Sequence, residues 1–298
     1  MAIPIIEDLK LKVRSNNPIT RLIIINAFVF LFISILHILL FLFGAGVDNK
    51  LNFIKDAIAL PLSMHAFIYK PWTLITYMFT HFEVMHILWN LITLYWFGQI
   101  LSEYTSPKKI IPLYLMGGIA GGLITILLFT FLPHFQNYSD SNMVGASAGI
   151  TAIIIAAATL VPNYRINMLF IGSVKLLYIA LFVIFIDMLN VASHNNVGGN
   201  IAHLGGAIMG YVFIIQYKRG RDWTLWIIRF FNFINGFFNN NQKSKMKVAY
   251  KKSVSDEAYS INKKIEQQQI DAILDKISKS GYESLSKSEK GILFNASK

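Results

Sequence analysis

The sequence predicts an all-α membrane protein, a bundle of six transmembrane helices with both termini in the cytoplasm. Three observations lead there. Of 298 residues, 54% are apolar and 14% charged, whereas a soluble domain carries about a quarter charged residues. The apolar residues gather into runs of spanning length, giving a mean hydropathy of +0.50. Lys and Arg gather in alternate connections between those runs. The absence of cysteine excludes disulfides, thiolate nucleophiles and cysteine-ligated metal sites. No repeat of roughly 20–50 residues suggests a solenoid or propeller.

The elements follow in order. A spanning helix needs about 20 mostly apolar residues, and 22–43 supplies them without a charge. The run is too long for a signal-peptide core and no small-x-small cleavage site follows closely, so it reads as a retained span. Further spans are predicted near 84–102, 110–132, 147–161, 168–190 and 201–217; those around Ser147 and His203 are short. Residues 223–238 are apolar but interrupted by Arg229, Asn232, Asn235 and Gly236, which suits a helix lying in the membrane interface. The resulting division is a cytoplasmic segment 1–21, a six-span domain 22–217, a basic interfacial helix and linker 218–242, and a cytoplasmic helical tail 243–298.

Charge sets the orientation. Residues 1–21 hold 4 basic and 2 acidic groups, 22–217 hold 7 and 6, and 218–298 hold 16 and 8, which together make the net +11. Lys10, Lys12, Arg14 and Arg21 precede the first span, Lys108 and Lys109 follow the second, and Lys218, Arg219 and Arg221 follow the sixth. The opposite loops at 133–146 and 191–200 carry neither Lys nor Arg. This asymmetry puts both termini inside. A basic tail after the last span fits a lipid surface better than nucleic acid, because no aromatic-basic recognition motif accompanies it.

Polar groups inside a bilayer are costly, so each is a functional candidate. Ser147 lies in Gly145-Ala146-Ser147-Ala148-Gly149 and His203 in Ala202-His203-Leu204-Gly205-Gly206. From each to the predicted inner end of its span, Val161 or Tyr217, there are 14 steps, roughly 21 Å at ~1.5 Å per residue. The two therefore share a depth. Ala148, Ala152 and Ala156, like Ala202, Gly206 and Gly210, form small-residue faces that let two helices approach closely. Packing alone accounts for those faces, with Ser147 serving as a helix cap. A Ser and a His at the heads of both faces also suit a nucleophile and its general base. His86 and Asn90 are four apart on one helical face and could donate to a developing oxyanion, or simply hydrogen-bond another helix. The backbone N–H of Ser147 would be a third donor. His81, just outside the second span, is expected to pin the first loop. Asp187 could orient His203, although such a group more often faces water or another helix. His81 and His86 are five apart and do not share a face, so the H-E-x-x-H zinc pattern is not met. A zinc site from His86, His203 and Asp187 is the weaker reading, and no metal or cofactor is expected.

Together these motifs resemble the rhomboid family of intramembrane serine proteases. They are Trp72 in the first outer loop, H-x4-H-x3-N at His81, His86 and Asn90, G-x-S-x over 145–148, and A-H-x-G-G over 202–206. The resemblance covers about residues 20–217. It implies a catalytic dyad of Ser147 and His203, and an oxyanion hole from His86, Asn90 and the Ser147 N–H. It further implies loop and packing support from His81, Trp72, Gly145 and Gly206, and no catalytic part for Asp187. The substrates implied are transmembrane proteins within the lipid bilayer. The chain departs from common family choices at Thr73 after the loop Trp, at Ala148 after the Ser, and at Thr151, where many members place a Tyr that stacks on the His. The tail resembles an extension seen on rhomboids of Bacteroidetes-type bacteria, which implies a bacterial inner-membrane location. The rival reading is a non-catalytic rhomboid-like protein that binds membrane helices. The loop 191–200, polar and next to His203, is expected to be a mobile cap.

Overall fold

A computed structural model describes residues 17–43, 47–138, 141–168, 171–238 and 256–296. Residues 1–16 of the predicted 1–21 segment and the residues 239–255 lie outside the described residues. The chain divides into two compact units, Met1–Phe238 and Asn239–Lys298.

The first unit is built from α1 (Pro18–Leu42), α2 (Val47–Ile58), β1 (Leu60–Pro61), α3 (Met64–Tyr69), α4 (Thr73–Thr76), α5 (Val84–Tyr104), α6 (Ile110–Phe131), β2 (Asn142–Met143), α7 (Ser147–Leu160), β3 (Arg165–Met168), β4 (Gly172–Lys175), α8 (Leu176–Ala192), α9 (Val197–Lys218) and α10 (Leu225–Phe238). Among the described residues, four helices are long and apolar enough to cross a membrane: α1, α5, α6 with the turn from Pro107 before it, and α9. Helices α7 and α8 are apolar but have 14 and 17 residues. At ~1.5 Å per residue they reach roughly 21 and 26 Å.

The expected fifth span is corrected at its start. It begins at Leu176, not near 168, because β3 and β4 pair antiparallel with Arg165 opposite Lys175 and Met168 opposite Gly172. Arg165-Ile166-Asn167-Met168 alternates polar with apolar, which is a strand period rather than a helical one. The sixth helix is corrected the other way. It starts at Val197, so His203 lies well inside it, and Val197, Gly198, Gly199 and Asn200 form a buried first turn. Of the predicted mobile cap only 193–196 falls between helices. That connection is tied down: Asn200 Nδ2 donates to the carbonyls of Asn195 at 2.7 Å and Asn196 at 2.9 Å. His194 and Asn196 both adopt positive φ.

Helix α1 begins with Pro18 in its first turn, and the Asn17 side chain accepts the Ile19 N–H at 2.9 Å, a favourable N-terminus. Only Ile19, Leu22, Asn26 and Ile33 of it are buried; Phe28, Phe32, Phe41 and Leu42 are exposed. So much exposed apolar surface along one helix suits lipid, not water. Helix α7 is the opposite case, with every residue from Ala148 to Ala158 buried. Its neighbours approach by backbone. A Cβ on Gly206 would lie 2.1 Å from the Ala148 carbonyl oxygen, and one on Gly210 would lie 2.2 Å from that of Ala152. Helix α6 joins this contact. A Cβ on Gly117 would meet Ala152 Cβ at 2.4 Å, and one on Gly121 would meet the Ala202 oxygen at 2.5 Å. Ala202 thus faces α6, and the close-packed centre is made by three helices, not the two whose small faces stand out in the sequence.

The segment between α1 and α5 is a folded cap. Trp72 Nε1 donates to the Ala57 carbonyl at 2.8 Å, and Thr76 Oγ1 to that of Ile58 at 2.7 Å. Leu60 pairs with Met143 in the β1–β2 ladder, and Asn142 Nδ2 donates to Asp56 Oδ1 at 2.8 Å. These bonds tie the cap to the residues just before Ser147.

The second unit contains α11 (Asp256–Ser280) and α12 (Lys287–Ala296), with Ile273 and Leu285 buried. Ser286 and Glu289 open α12 as a capping box: the Ser286 N–H donates to Glu289 Oε2 at 2.7 Å and the Glu289 N–H to Ser286 Oγ at 3.3 Å. Lys276 Nζ, 2.9 Å from Glu289 Oε1, and these bonds hold the Glu289 carboxyl down at about 2.

Candidate functional site

A cavity of about 370 Å³ is lined by His86 and Asn90 of α5, Gly145 and Ser147 at the head of α7, and Ala202 and His203 of α9. All of the residues singled out for acyl transfer therefore meet at one place. Each half-buried side chain is positioned by a buried neighbourhood. Ser147 is the first residue of α7 and Ala146 is the cap residue, with no side-chain cap bond. The alternative in which the Ser147 hydroxyl serves as the helix cap does not hold. The first N–H groups of a helix lack intrahelical partners, so the Ser147 amide opens a site with positive potential.

The turn before Ser147 is fixed by three bonds. The Gly145 N–H donates to the Tyr77 carbonyl at 2.9 Å. The Ala146 N–H donates to His81 Nε2 at 3.4 Å, and Asn90 Nδ2 lies 2.9 Å from the same nitrogen. Both partners are donors, so Nε2 of His81 is the unprotonated acceptor. His81 thus ties the end of the first loop, which carries it, to both α5 and the Ser147-bearing turn. Burial, and next the neighbouring His86, lower His81 to about 4, which keeps it neutral at physiological pH. The sign gives a prediction. The folded value lies below the usual 6.5, so the stability contributed by neutral His81 is complete above 6.5 and is lost as pH falls toward 4. The full penalty is of order 3 kcal/mol at ~1.36 kcal/mol per unit. Detergent-phase melting of wild type and His81→Gln should converge between pH 6.5 and about 4, and parallel curves would refute it.

Asn90 has its amide engaged by His81 but carries two N–H donors, leaving one for the cavity it lines. The His86 and His81 rings meet edge-on at 5.0 Å between centroids. A Cβ on Gly145 would lie 2.9 Å from His86 Nε2 and 3.6 Å from Ser147 Oγ, so Gly145 is the floor on which both groups converge. Trp72 is outside the cavity and its indole N–H braces the cap. Gly206 acts in packing, as described.

Of the two readings open for Asp187 in the sequence, orienting His203 or facing water or another helix, the structure shows the contact with His203. Its Nδ1 is 2.8 Å from Oδ1 of Asp187 on α8, and Asp187 is 5% exposed. Thr151 is turned to its own helix, donating to the Ser147 carbonyl at 2.9 Å. No hydrogen bond joins Ser147 and His203 among the described residues, and no cluster of three or more His, Asp or Glu that could hold a metal occurs among them.

A bundle of apolar helices enclosing a cavity that gathers Ser147, His86, Asn90 and His203 between α5, α7 and α9 defines a multi-pass membrane protein. The chain belongs to the rhomboid family: the rhomboid domain matches residues 69–219, half of the sequence. Residues 254–298 match a family of unknown function, DUF6576. Among curated relatives, RHOMBOID-like protein 12, mitochondrial, of Arabidopsis thaliana is 28% identical over 159 residues, covering 50% of this chain and 47% of that protein. Rhomboid-related protein 1 of Caenorhabditis elegans is 29% identical over 148 residues, or 48% and 39%. Presenilin-associated rhomboid-like protein A, mitochondrial, of Danio rerio is 24% identical over 152 residues, or 49% and 37%. The chain thus spans half or less of the length of these relatives.

Proposed function

We propose that this protein is an intramembrane serine protease that hydrolyses peptide bonds in or next to the transmembrane helices of other membrane proteins. The observation that carries the reading is the convergence of Ser147, His203, His86 and the head of α7 on one cavity. His203 takes the hydroxyl proton of Ser147 as Oγ attacks the scissile carbonyl, and returns it to the leaving amine. His86, the free N–H of Asn90 and the Ser147 amide donate to the oxyanion. Ser147 and His203 are the catalytic pair; His81, Trp72, Gly145 and Gly206 hold the frame. The bundle crosses the inner membrane of a bacterial cell six times with α7 and α8 as its short spans, both termini cytoplasmic, and the cavity opening outward. The positive charges before α1 and after α9 support that orientation.

The test is fluorophosphonate labelling of the detergent-purified protein, mapped by mass spectrometry. An adduct on Ser147 that disappears in His203→Ala supports the proposal. No adduct on folded protein overturns it in favour of a rhomboid-like protein that binds membrane helices without cutting them.

Substrate choice follows from helix chemistry. A continuous helix pairs its own carbonyls, so they are poorly accessible to Oγ. A reporter span carrying Gly or Pro near its outer end should be cut at least about tenfold faster than a poly-Leu span. Equal rates would refute this requirement.

A further inference from the structure

An ionised carboxylate within an apolar helix is expensive unless paired. Asp187 sits in Ile184-Phe185-Ile186-Asp187-Met188-Leu189, is 5% exposed, and has one hydrogen-bond partner among the described residues, Nδ1 of His203 at 2.8 Å. Its second oxygen, Oδ2, is buried without a partner. A group held only for packing or for joining α8 to α9 would not need a charge. Leu or Met would fill the place at lower desolvation cost. The carboxylate does what an apolar residue cannot: as an acceptor it fixes the proton of His203 on Nδ1. The other ring nitrogen, Nε2, then keeps its lone pair for the cavity where Ser147 lies.

The structure assigns Asp187 as the positioning residue of a Ser147–His203–Asp187 relay, setting the imidazole tautomer and stabilising the imidazolium formed when Ser147 gives up its proton. This rests on the proposed protease reading. No proton passes to Asp187. The proton moves from Ser147 Oγ to His203 Nε2 as the Oγ–carbon bond forms, and from Nε2 to the departing amine as the peptide C–N bond breaks. Asp187 Oδ1 faces Nδ1 of the ring on which the positive charge forms. Thr151 supplies no ring to hold His203 from α7, since its hydroxyl bonds back to Ser147; orientation comes from α8 instead.

Two measurements on the full chain in detergent micelles test it. The first is the ¹⁵N spectrum of histidine-labelled wild type, with His203 assigned by its loss in His203→Ala. The protonated nitrogen should be Nδ1; an Nε2–H tautomer in the wild type overturns the assignment. The second is the rate of fluorophosphonate labelling at Ser147. In Asp187→Asn the side-chain amide donates to Nδ1 and leaves the proton on Nε2, so labelling should fall at least about 100-fold, with the tautomer inverted. Asp187→Glu, which keeps the carboxylate, should recover most of the rate. Labelling of Asp187→Asn within threefold of wild type, while Ser147→Ala is unlabelled, overturns the role of Asp187 and leaves the protease reading standing. If wild type itself is not labelled, the protease reading fails, and the relay proposed on it fails too.

Discussion

Gly206→Ala and Gly210→Ala will each destabilise the bundle more than any exposed substitution, lowering the detergent-phase melting midpoint by about 6–12 °C. The reason is which atoms the new methyl would meet. Overpacking costs about 1–3 kcal/mol where neighbouring side chains can rotate away. Here the neighbours are the carbonyl oxygens of Ala148 and Ala152, 2.1 and 2.2 Å from the added carbon, and a helix backbone has no rotamer to change. Helix α9 must move off α7 by more than an ångström, losing dispersion contacts along the whole seam. A loss of about 3 kcal/mol converts at roughly 2–4 °C per kcal/mol for a unit of this size. Gly291→Ala serves as control, since nothing lies within 4 Å of its added carbon. Equal midpoints for Gly206→Ala and Gly291→Ala would show that the seam is looser than described. The same displacement moves His203, one turn before Gly206, away from Ser147, so activity should fall even in the fraction that stays folded.

How much of this was legible follows from what each signal measures. Among the described residues, hydropathy marks the four span-length helices and the two shorter apolar ones, α7 and α8, because it sums over a window, and it errs where two structures share the same composition. The stretch beginning at Arg165 contributes Ile166, Met168 and Ile171 to an apolar count, yet its alternation and Gly172 at φ +88° make a hairpin. Small residues at every fourth place revealed that α7 and α9 meet. The third partner is encoded in Gly117-Gly118 and Gly121-Gly122 of α6, but those glycines flank no polar group and so stand out less than the faces headed by Ser147 and His203. Motif spacing brought Ser147, His203, His86 and Asn90 to one cavity. It left the partner of His203 open between Asp187 and none: the pairing joins residues 16 apart in sequence on two different helices. No local period encodes which face of α8 turns toward α9. The partners of His81, Ala146 and Asn90, are 65 and 9 residues away, and only the folded turn shows that this loop residue also fixes the Ser147 segment.

Gly145→Ala should abolish labelling of Ser147, with at least about a 100-fold loss of rate, and it separates two causes that usually travel together. Gly145 has φ +126°, a conformation that costs an L-residue of order 1–3 kcal/mol. Strain alone would destabilise the turn without touching the chemistry. But the added methyl would also stand 2.9 Å from Cε1 and Nε2 of His86 and 3.6 Å from Ser147 Oγ. That is where a scissile carbonyl must sit to be within reach of both the nucleophile and an oxyanion donor, and a misplacement of about 1 Å in such an array can cost 100-fold. Gly172→Ala supplies the comparison. Gly172 also has positive φ, +88°, but open space around it, so the variant carries strain without intrusion and should label at close to the wild-type rate. If both variants lose labelling alike, strain transmitted through the fold is the cause. If Gly145→Ala labels normally while folded, the carbonyl does not sit between His86 and Ser147, and His86 drops out of the oxyanion hole. Loss in Gly145→Ala alone assigns the space above Gly145 to the reacting carbonyl.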